Sequence, residues 1–172
     1  MSPFRLIIIF VLIGLVVFSN GLKGDFVYDD HVVLAHSFYN DLGKTLNFFG
    51  QPYFEDFPKA GLYRPLTQIS FAFNFVFSRS PVSFHLVNLF LHISNTVLVY
   101  FLLRRLTSSS VTSFICGLIF LVLPIHVEAV TSIVGRAELL SFMFCVSSIL
   151  FWLKKRPLLA AGVFLLAVLS KE

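Results

Sequence analysis

Long apolar blocks separated by short polar segments dominate the chain. The first block covers 4–22, and further blocks cover 84–103, 111–123, 139–153 and 157–169. A membrane-spanning helix needs about 20 mostly apolar residues. We therefore predict an all-α membrane protein, a helix bundle with about five spans in these residues.

The first block also fits a cleaved signal peptide. A basic residue, Arg5, precedes a short apolar core, and the small polar residues Ser19 and Asn20 follow it, as in secretory signals. Several more apolar blocks come later in the chain, so a retained first span is the preferred interpretation.

A long polar segment, 23–83, separates the first two blocks. Aromatic, acidic, glycine and proline residues mix in its first half without a long apolar period. Its stretch 69–77 is mostly apolar but too short to cross a bilayer, so we predict an interfacial helix there. Thr67 and Gln68 are expected to precede this helix. The chain then reads as one transmembrane domain: a first span at 1–22, an ordered external catalytic loop at 23–83, and further spans over 84–172.

Four polar residues share one face of the second span. His85, Asn88, His92 and Asn95 are spaced three, four and three apart, which keeps them on one side of a helix. That face must point into the bundle. No cysteine or carboxylate accompanies the two histidines on the helix, so interhelical hydrogen bonding is preferred to metal binding.

Composition and charge exclude an ordinary soluble domain. Of the 172 residues, 57% are hydrophobic and only 13% are charged, against about a quarter charged in globular proteins. The net charge of +4 does not indicate nucleic acid, because the basic clusters 104–105 and 154–156 flank apolar blocks. Cys116 and Cys145 lie inside apolar blocks without ligand spacing, so a structural zinc site is not predicted.

The basic clusters also predict the orientation of the chain. Lys and Arg concentrate in cytoplasmic loops of membrane proteins, which assigns Arg5, 104–105 and 154–156 to the cytoplasmic side. The polar loop, the turn at 124–138 and the pair 171–172 then share the opposite, outer face.

The residues that could take part in catalysis or phosphate binding lie on that outer face. Acids suit a general base or a metal ion, and Arg or Lys suits a phosphate. Both signs together favour transfer from a phosphate-bearing donor to a hydroxyl acceptor, although the turn alone also fits a helix hairpin with a polar tip. The candidates are Asp29, Asp30, Arg64, His126, Glu128, Arg136, Glu138 and Lys171.

Six strings in order resemble a known enzyme family. They are GDFVYDD at 24–30, YRPL at 63–66, FHLVNLFLH at 84–92, PIHVEAV at 124–130, GRAELL at 135–140 and LSKE at 169–172. Together they look like the N-terminal half of the transmembrane and tetratricopeptide-repeat O-mannosyltransferases, their bacterial relatives, and the wider GT-C glycosyltransferase fold.

The resemblance implies a membrane-embedded glycosyltransferase. Such an enzyme takes a sugar, with mannose expected, from a polyprenyl-phosphate carrier. It passes the sugar to a protein Ser/Thr hydroxyl or another acceptor on the outer or lumenal face, with inversion. Besides the lipid bilayer, the expected partners are this donor and a protein or glycan acceptor. No cofactor is assigned, and the need for a divalent metal stays open.

The resemblance also implies roles for the candidate residues. The catalytic positions are Asp29 and Asp30, with Asp29 favoured as the base. Arg136 and Lys171 would neutralise the leaving phosphate. The residues expected to shape the site or hold its loops are His126, Glu128, Arg64 and Glu138. For Arg64 and Glu138, a structural ion pair is an equal alternative.

The chain departs from the family pattern in length. The family enzymes have more spans followed by tetratricopeptide repeats, and no repeat of that kind is present here. The sequence is therefore expected to be a fragment whose activity alone is open. The loop at 40–61 looks closer to the bacterial relatives. This favours a bacterial inner membrane with a periplasmic active face over the endoplasmic reticulum with a lumenal one.

Two other functions stay open. The first is a non-catalytic membrane scaffold or partner-binding subunit with the same fold. The second is a small transporter whose His and Asn stripe lines a pathway. The acidic pair beside basic residues favours the enzyme over the scaffold, and the confinement of the stripe to one helix disfavours the transporter.

Overall fold

A computed structural model describes residues 3–35, 39, 41–55 and 58–172. The remaining loop positions, 36–38, 40, 56 and 57, lie outside the described residues. Within the described residues the chain is all-helical and has no strand. Its α-helices are α1 (Pro3–Phe18), α2 (Asp29–Leu34), α3 (Pro65–Phe77), α4 (Pro81–Thr107), α5 (Ser110–Val122), α6 (Val127–Thr131), α7 (Arg136–Leu153) and α8 (Pro157–Ser170). Short 3₁₀ helices cover Gly21–Lys23, Leu42–Gly50, Pro58–Ala60 and Pro124–His126.

Proline marks the start of several of these helices. α3, α4 and α8 begin at Pro65, Pro81 and Pro157. Proline suits the first helical position because it has no N–H to leave unpaired and its φ is already helical. The helices therefore begin where the chain leaves a polar segment.

The interfacial helix was predicted to begin after Thr67 and Gln68, and this is wrong. α3 includes both residues and buries them completely. The Thr67 hydroxyl donates to the Ser170 carbonyl at 2.8 Å, and the Gln68 amide donates to the Pro52 carbonyl at 3.1 Å. Tertiary partners thus satisfy polar groups that local sequence reasoning had excluded from the helix.

Two helices in the described part of the chain are long and apolar enough to cross a membrane. They are α4, with 27 residues, and α7, with 18 residues. A third candidate combines α5 with the segment that follows it, and α1 and α8 are shorter apolar helices. The two to three candidate spans indicate a membrane protein, and the predicted number of about five is not confirmed.

The chain does not reverse at Pro124, where the predicted turn between spans began. It bends by 51° between Ser110–Val122 and Pro124–Thr131 and continues as helix. Bend and turn residues at 132–135 then separate α6 from α7. Proline lacks the N–H that a straight helix needs at this point, which explains a bend at Pro124.

The bundle is built around α4, which packs against α1, α5 and α7. The predicted interhelical role of its polar face is confirmed, because all four side chains are buried. Each pairs with a backbone carbonyl of another segment. The pairs are His85 Nε2 with Gly24 O at 3.2 Å, Asn88 Nδ2 with Ser132 O at 2.8 Å, His92 Nε2 with Leu121 O at 3.1 Å, and Asn95 Nδ2 with Leu139 O at 2.9 Å.

A second core, rich in aromatic residues, fixes the polar loop to α3 and to the start of α4. Tyr39, Phe48 and Tyr53 are buried with Phe71 and Phe84. The ring centroids of Tyr39 and Phe48 lie 5.3 Å apart, within the range of favourable aromatic pairs. The loop is therefore packed onto the bundle in the part that the structure describes.

Gly135 allows the residues before α7 to approach the backbone of α6 closely. A Cβ at this position would lie 2.4 Å from the carbonyl oxygen of Ala129 and 2.8 Å from its carbonyl carbon. Backbone atoms cannot move away as a flexible side chain can. Gly135 therefore fixes the junction between α6 and α7, from which Arg136 follows directly.

We predict that Gly135→Ala lowers the free energy of unfolding by about 1–3 kcal/mol, the usual cost of overpacking. Gly162→Ala is the matched control, because a Cβ there meets nothing within 4 Å and alanine favours a helix. Thermal unfolding in detergent checks both variants. Equal midpoints for Gly135→Ala and the parent would contradict the assigned contact.

Candidate functional site

Arg136, the first residue of α7, is completely buried. Its guanidinium donates four hydrogen bonds to α3 and α4. They run from Nε to Asn88 Oδ1 at 2.9 Å, from Nη1 to Ser70 O at 3.2 Å, and from Nη2 to Asn74 Oδ1 at 2.9 Å and Phe84 O at 3.2 Å. The guanidinium carbon also lies 4.7 Å from the ring centroid of Phe71 and 5.3 Å from that of Phe84.

This geometry holds three helices together through one side chain. The planar guanidinium offers donors in fixed directions and stacks well on aromatic rings. In the described structure the guanidinium faces amide and carbonyl oxygens, and it forms no ion pair with a described carboxylate. Arg136 was expected to neutralise a leaving phosphate, and its burial and hydrogen bonds favour a structural role instead.

The predicted acidic pair divides into one buried and one exposed carboxylate. Asp30 is fully buried. Its Oδ2 accepts from the Val27 N–H at 3.1 Å, and its Oδ1 accepts from the Val134 N–H at 3.1 Å. Asp29 is exposed, and no described residue forms a hydrogen bond or ion pair with its carboxylate. Asp30 thus ties the start of α2 to the turn before α7, while Asp29 faces solvent beside it.

Tyr28 gives the backbone before this pair an uncommon conformation. Its φ is +45°, and its side chain is 91% exposed. A non-glycine residue in such a region costs on the order of 1–3 kcal/mol and persists only where surrounding contacts enforce it. The enforcing contacts here include the two hydrogen bonds to Asp30. Asp29 therefore lies between a strained residue, Tyr28, and an anchored one, Asp30.

Two ion pairs connect the end of α8 to the starts of α3 and α7. Arg64 reaches Glu172 at 2.9 Å through Nη2, and its Nε also donates to this carboxylate. Lys171 Nζ lies 2.8 Å from Glu138 Oε1. The structure therefore brings four charged residues together in pairs, as the structural alternative for Arg64 and Glu138 expected.

The charge of Arg64 affects the titration of its neighbours. Partial burial raises the pKa of Glu172, but the hydrogen bond and positive charge of Arg64 outweigh this and leave the pKa below its usual value. Burial raises the pKa of the Tyr53 hydroxyl above its usual range, against the lowering effect of Arg64 and Arg136. The Arg64 guanidinium lies 4.9 Å from the Tyr53 ring centroid, so the charge of Arg64 lies directly beside the Tyr53 ring.

His126 and Glu128 lie on the bent segment between α5 and α7. His126 is half-buried, and its ring centroid lies 4.4 Å from that of Phe120 and 5.2 Å from that of His92. Its imidazole packs against these rings and forms no hydrogen bond or ion pair with a described residue. Glu128 is exposed. Neither side chain joins the ion pairs around α8.

No group of three His, Cys, Asp or Glu side chains among the described residues is arranged as a metal site would require. The two cysteines are both partly buried and free. The candidate site is therefore defined by charged side chains. They are the solvent-facing carboxylate of Asp29 and the ion-paired cations Arg64 and Lys171, whose partners join them at the end of α8.

Sequence reasoning missed several residues that position this site. Asn74 holds the Arg136 guanidinium, and the Ser70 carbonyl accepts from it. Ser70 and Asn74 are four residues apart, so they share one face of α3, and that spacing could have identified a polar contact. The pairing of Asp30 with the Val134 N–H depends on tertiary structure and left no local signal.

Comparison with known proteins gives one consistent set of relatives. The chain is 36% identical over 155 residues to protein O-mannosyl-transferase tmtc2 of Xenopus laevis, a match that covers 83% of this chain and 18% of the relative. It is 35% identical over 183 residues to human protein O-mannosyl-transferase TMTC3, covering 94% of this chain and 20% of the relative. The chain belongs to the TMTC protein O-mannosyl-transferase family.

Another member of this family, Drosophila melanogaster protein O-mannosyl-transferase Tmtc1, is 36% identical over 151 residues, which is 84% of this chain and 17% of the relative. The chain thus spans only about a fifth of the length of these TMTC relatives. No family model and no solved structure matches it. The family predicted from the six strings is confirmed.

We predict that the ion pair of Glu172 makes the stability of this TMTC family member depend on pH. Because its folded pKa is lowered, the stabilisation is present above the ordinary glutamate pKa of about 4.3 and is lost as pH falls through the folded value. At pH 7 the parent should have a higher melting temperature than Glu172→Gln, and this difference should disappear in more acidic buffer.

Thermal unfolding of both proteins across this pH range measures the difference. Glu128→Gln is the control, because its exposed carboxylate contacts no described cation, and its midpoint should follow the parent throughout. A gap between the parent and Glu172→Gln that stays constant or widens as pH falls would count against the assigned pair.

Proposed function

We propose that the chain is the N-terminal part of a membrane glycosyltransferase of the GT-C type. It moves a sugar, mannose by analogy with the names of its relatives, from a polyprenyl-phosphate carrier to a Ser/Thr hydroxyl of a protein. The membership of the chain in the TMTC family supports the sugar and the acceptor. The donor, the fold type and the inverting course rest on the resemblance of the motifs.

The observation that carries the proposal is the different environment of the two adjacent aspartates. A catalytic base must reach the acceptor and be held in place. Asp29 is exposed, and Asp30 beside it is buried and bonded to two backbone N–H groups. Asp30 therefore serves as the anchor that positions Asp29, the catalytic base.

In the proposed step Asp29 accepts the proton of the acceptor hydroxyl as its oxygen attacks the anomeric carbon. The bond between that carbon and the carrier phosphate breaks, and the phosphate leaves with the bonding electron pair. A single displacement of this kind inverts the anomeric configuration. Proton transfer by a positioned carboxylate contributes roughly 10²–10⁴-fold to such rates.

Lys171 is the cation assigned to the leaving phosphate. Its ammonium has three N–H donors, and the ion pair with Glu138 uses one of them, so it can bind a phosphate oxygen while remaining paired. Arg64 can contribute charge from its own pair with Glu172. Arg136 is buried and is assigned to holding α3, α4 and α7 in place around the site.

The remaining candidates receive supporting roles. Glu138 orients Lys171 through their ion pair. Glu128 is exposed and would contact the acceptor or donor from the neighbouring segment. His126 packs on Phe120 and would fix the bend at the start of that segment. A divalent metal is not needed for the step as written.

The proposed topology has five membrane segments: α1, α4, the bent α5–α6 path, α7 and α8. The basic clusters at 104–105 and 154–156 support a cytoplasmic location for the end of the bundle where they lie. They support a non-cytoplasmic location for the candidate site. The sequence favoured a bacterial inner membrane. The relatives named above are animal proteins, which supports the alternative, the lumenal face of the endoplasmic reticulum.

A non-catalytic scaffold is the second candidate function. The observation that favours it is the engagement of Arg64, Glu138, Lys171 and Glu172 in structural ion pairs. The transporter interpretation receives less support. The polar stripe on α4 is buried and bonded to backbone carbonyls and offers no row of exposed ligands.

We predict that Asp29→Asn in the full-length protein lowers sugar transfer by roughly 10²-fold or more with unchanged membrane insertion and thermal stability. Asp25→Asn is the matched control, since Asp25 is also exposed and its carboxylate accepts, among the described residues, only from the N–H of Phe26. It should retain transfer. The assay uses membranes with a labelled polyprenyl-phosphate mannose donor.

Asp30→Asn separates the anchor from the base. It should lower thermal stability as well as transfer, because an amide cannot accept from both backbone N–H groups without turning its own NH₂ toward one of them. Full transfer by Asp29→Asn would remove the residue from the role of base. Absence of transfer in the well-folded parent would favour the scaffold.

A further inference from the structure

A continuous groove runs between α4 and α7, away from the residues of the proposed transfer site. It consists of two cavities of about 670 and 660 Å³ that share Leu98, Phe101 and Ser147 in their walls. α4 begins near the candidate site and ends at Thr107. The walls of the groove therefore extend from Leu86, near the start of α4, to the basic end of the bundle.

The first cavity is almost entirely apolar. α1 contributes Ile7 and Val11, α4 contributes Phe90 and Ile93, and α7 contributes Met143. Large apolar side chains on its rim are exposed: Leu86 by 45%, Phe90 by 68% and Phe101 by 41%. Among the described residues, α4 and α7 are the two single helices long and apolar enough to cross a membrane, so an opening between them would face the hydrocarbon of a bilayer.

The second cavity ends in three cations, Arg104, Arg105 and Lys154. Arg105 Nη2 donates to the Leu153 carbonyl at 3.1 Å, and Arg104 Nη1 donates to the Ser108 carbonyl. These contacts use only some of the available N–H groups. All three side chains are exposed, and none forms an ion pair with a carboxylate among the described residues.

We propose that this groove binds an anionic phospholipid. Its phosphate would contact Arg105 and Lys154, and an acyl chain would lie in the apolar part along Leu98 and Ile93. Charge complementarity selects this occupant: an apolar helix from elsewhere in the chain would fill the groove and leave the cations unpaired, and a zwitterionic lipid would compensate them only in part. Basic pockets between spans are a common way of holding acidic headgroups.

The proposal is independent of the proposed transfer reaction. The cations of the groove lie at the C-terminal ends of α4 and α7. The paired cations assigned to the donor phosphate, Arg64 and Lys171, lie at the start of α3 and the end of α8. The lipid would seal the bundle on its basic side and need not take part in chemistry.

The test uses the full-length protein that carries these residues, purified in neutral detergent with equal amounts of phosphatidylglycerol and phosphatidylcholine. Native mass spectrometry counts the lipid that stays bound. We expect the parent to retain phosphatidylglycerol preferentially. Arg105→Gln with Lys154→Gln should lower that retention at least about tenfold, since each basic residue near an acidic headgroup contributes on the order of fivefold.

Lys155→Gln with Arg156→Gln is the matched control, because it removes the same charge at the same end of the bundle from residues that do not line the groove. It should retain phosphatidylglycerol like the parent. Ser147→Phe tests the groove without a change of charge, since Ser147 lines both cavities. It should lower retention of the acidic lipid while thermal unfolding shows a folded protein.

Three lipid-retention results and one cross-linking result would overturn the proposal. The retention results are equal retention of the two lipids by the parent, an equal loss in the control pair and the groove pair, and unchanged retention in Ser147→Phe. Cross-linking of the Ser147→Cys variant to another segment of the same chain would likewise show that protein fills the groove in place of lipid.

Discussion

The guanidinium of Arg136 lies inside the protein, and in the described structure no carboxylate pairs with it. Removing such a charge from water costs several kcal/mol unless fixed dipoles replace the lost hydration. Here the oxygens of Asn74, Asn88, Ser70 and Phe84 supply those dipoles. Their positions are set by α3 and α4, so the helices must keep their mutual arrangement for the cation to be tolerated.

The candidate site depends on this arrangement through the residues just before Arg136. Gly135 permits the turn to approach Ala129 closely, and the Val134 N–H binds Asp30. Asp30 in turn fixes the start of α2, where Asp29 is exposed. A single connected set of contacts therefore runs from the buried cation to the proposed base. The ion pairs of Arg64 and Lys171 with Glu172 and Glu138 close the same region at the end of α8.

Much of the helical framework could be predicted from apolar blocks, because both a bilayer and a protein core favour apolar side chains. The polar face of α4 was also predictable, since the spacing of His85, Asn88, His92 and Asn95 requires a buried side. The division between Asp29 and Asp30 was not, because it depends on Val134, a residue distant in sequence. Likewise, Arg136 was predicted to lie in the polar turn between two spans, and only its contacts with Asn74 and the Phe71 ring identify it as buried.

The central claim is that Arg136 couples α7 to α3 energetically, and a double-mutant cycle tests it most directly. Arg136→Met, Asn74→Leu and the double variant are compared with the parent by the free energy of unfolding in detergent. Residues in direct contact show interaction energies of about 0.5–3 kcal/mol. The account predicts a coupling of at least about 1 kcal/mol, with the double variant less destabilised than the sum of the single changes. Additive effects, within roughly 0.3–0.5 kcal/mol, would contradict it.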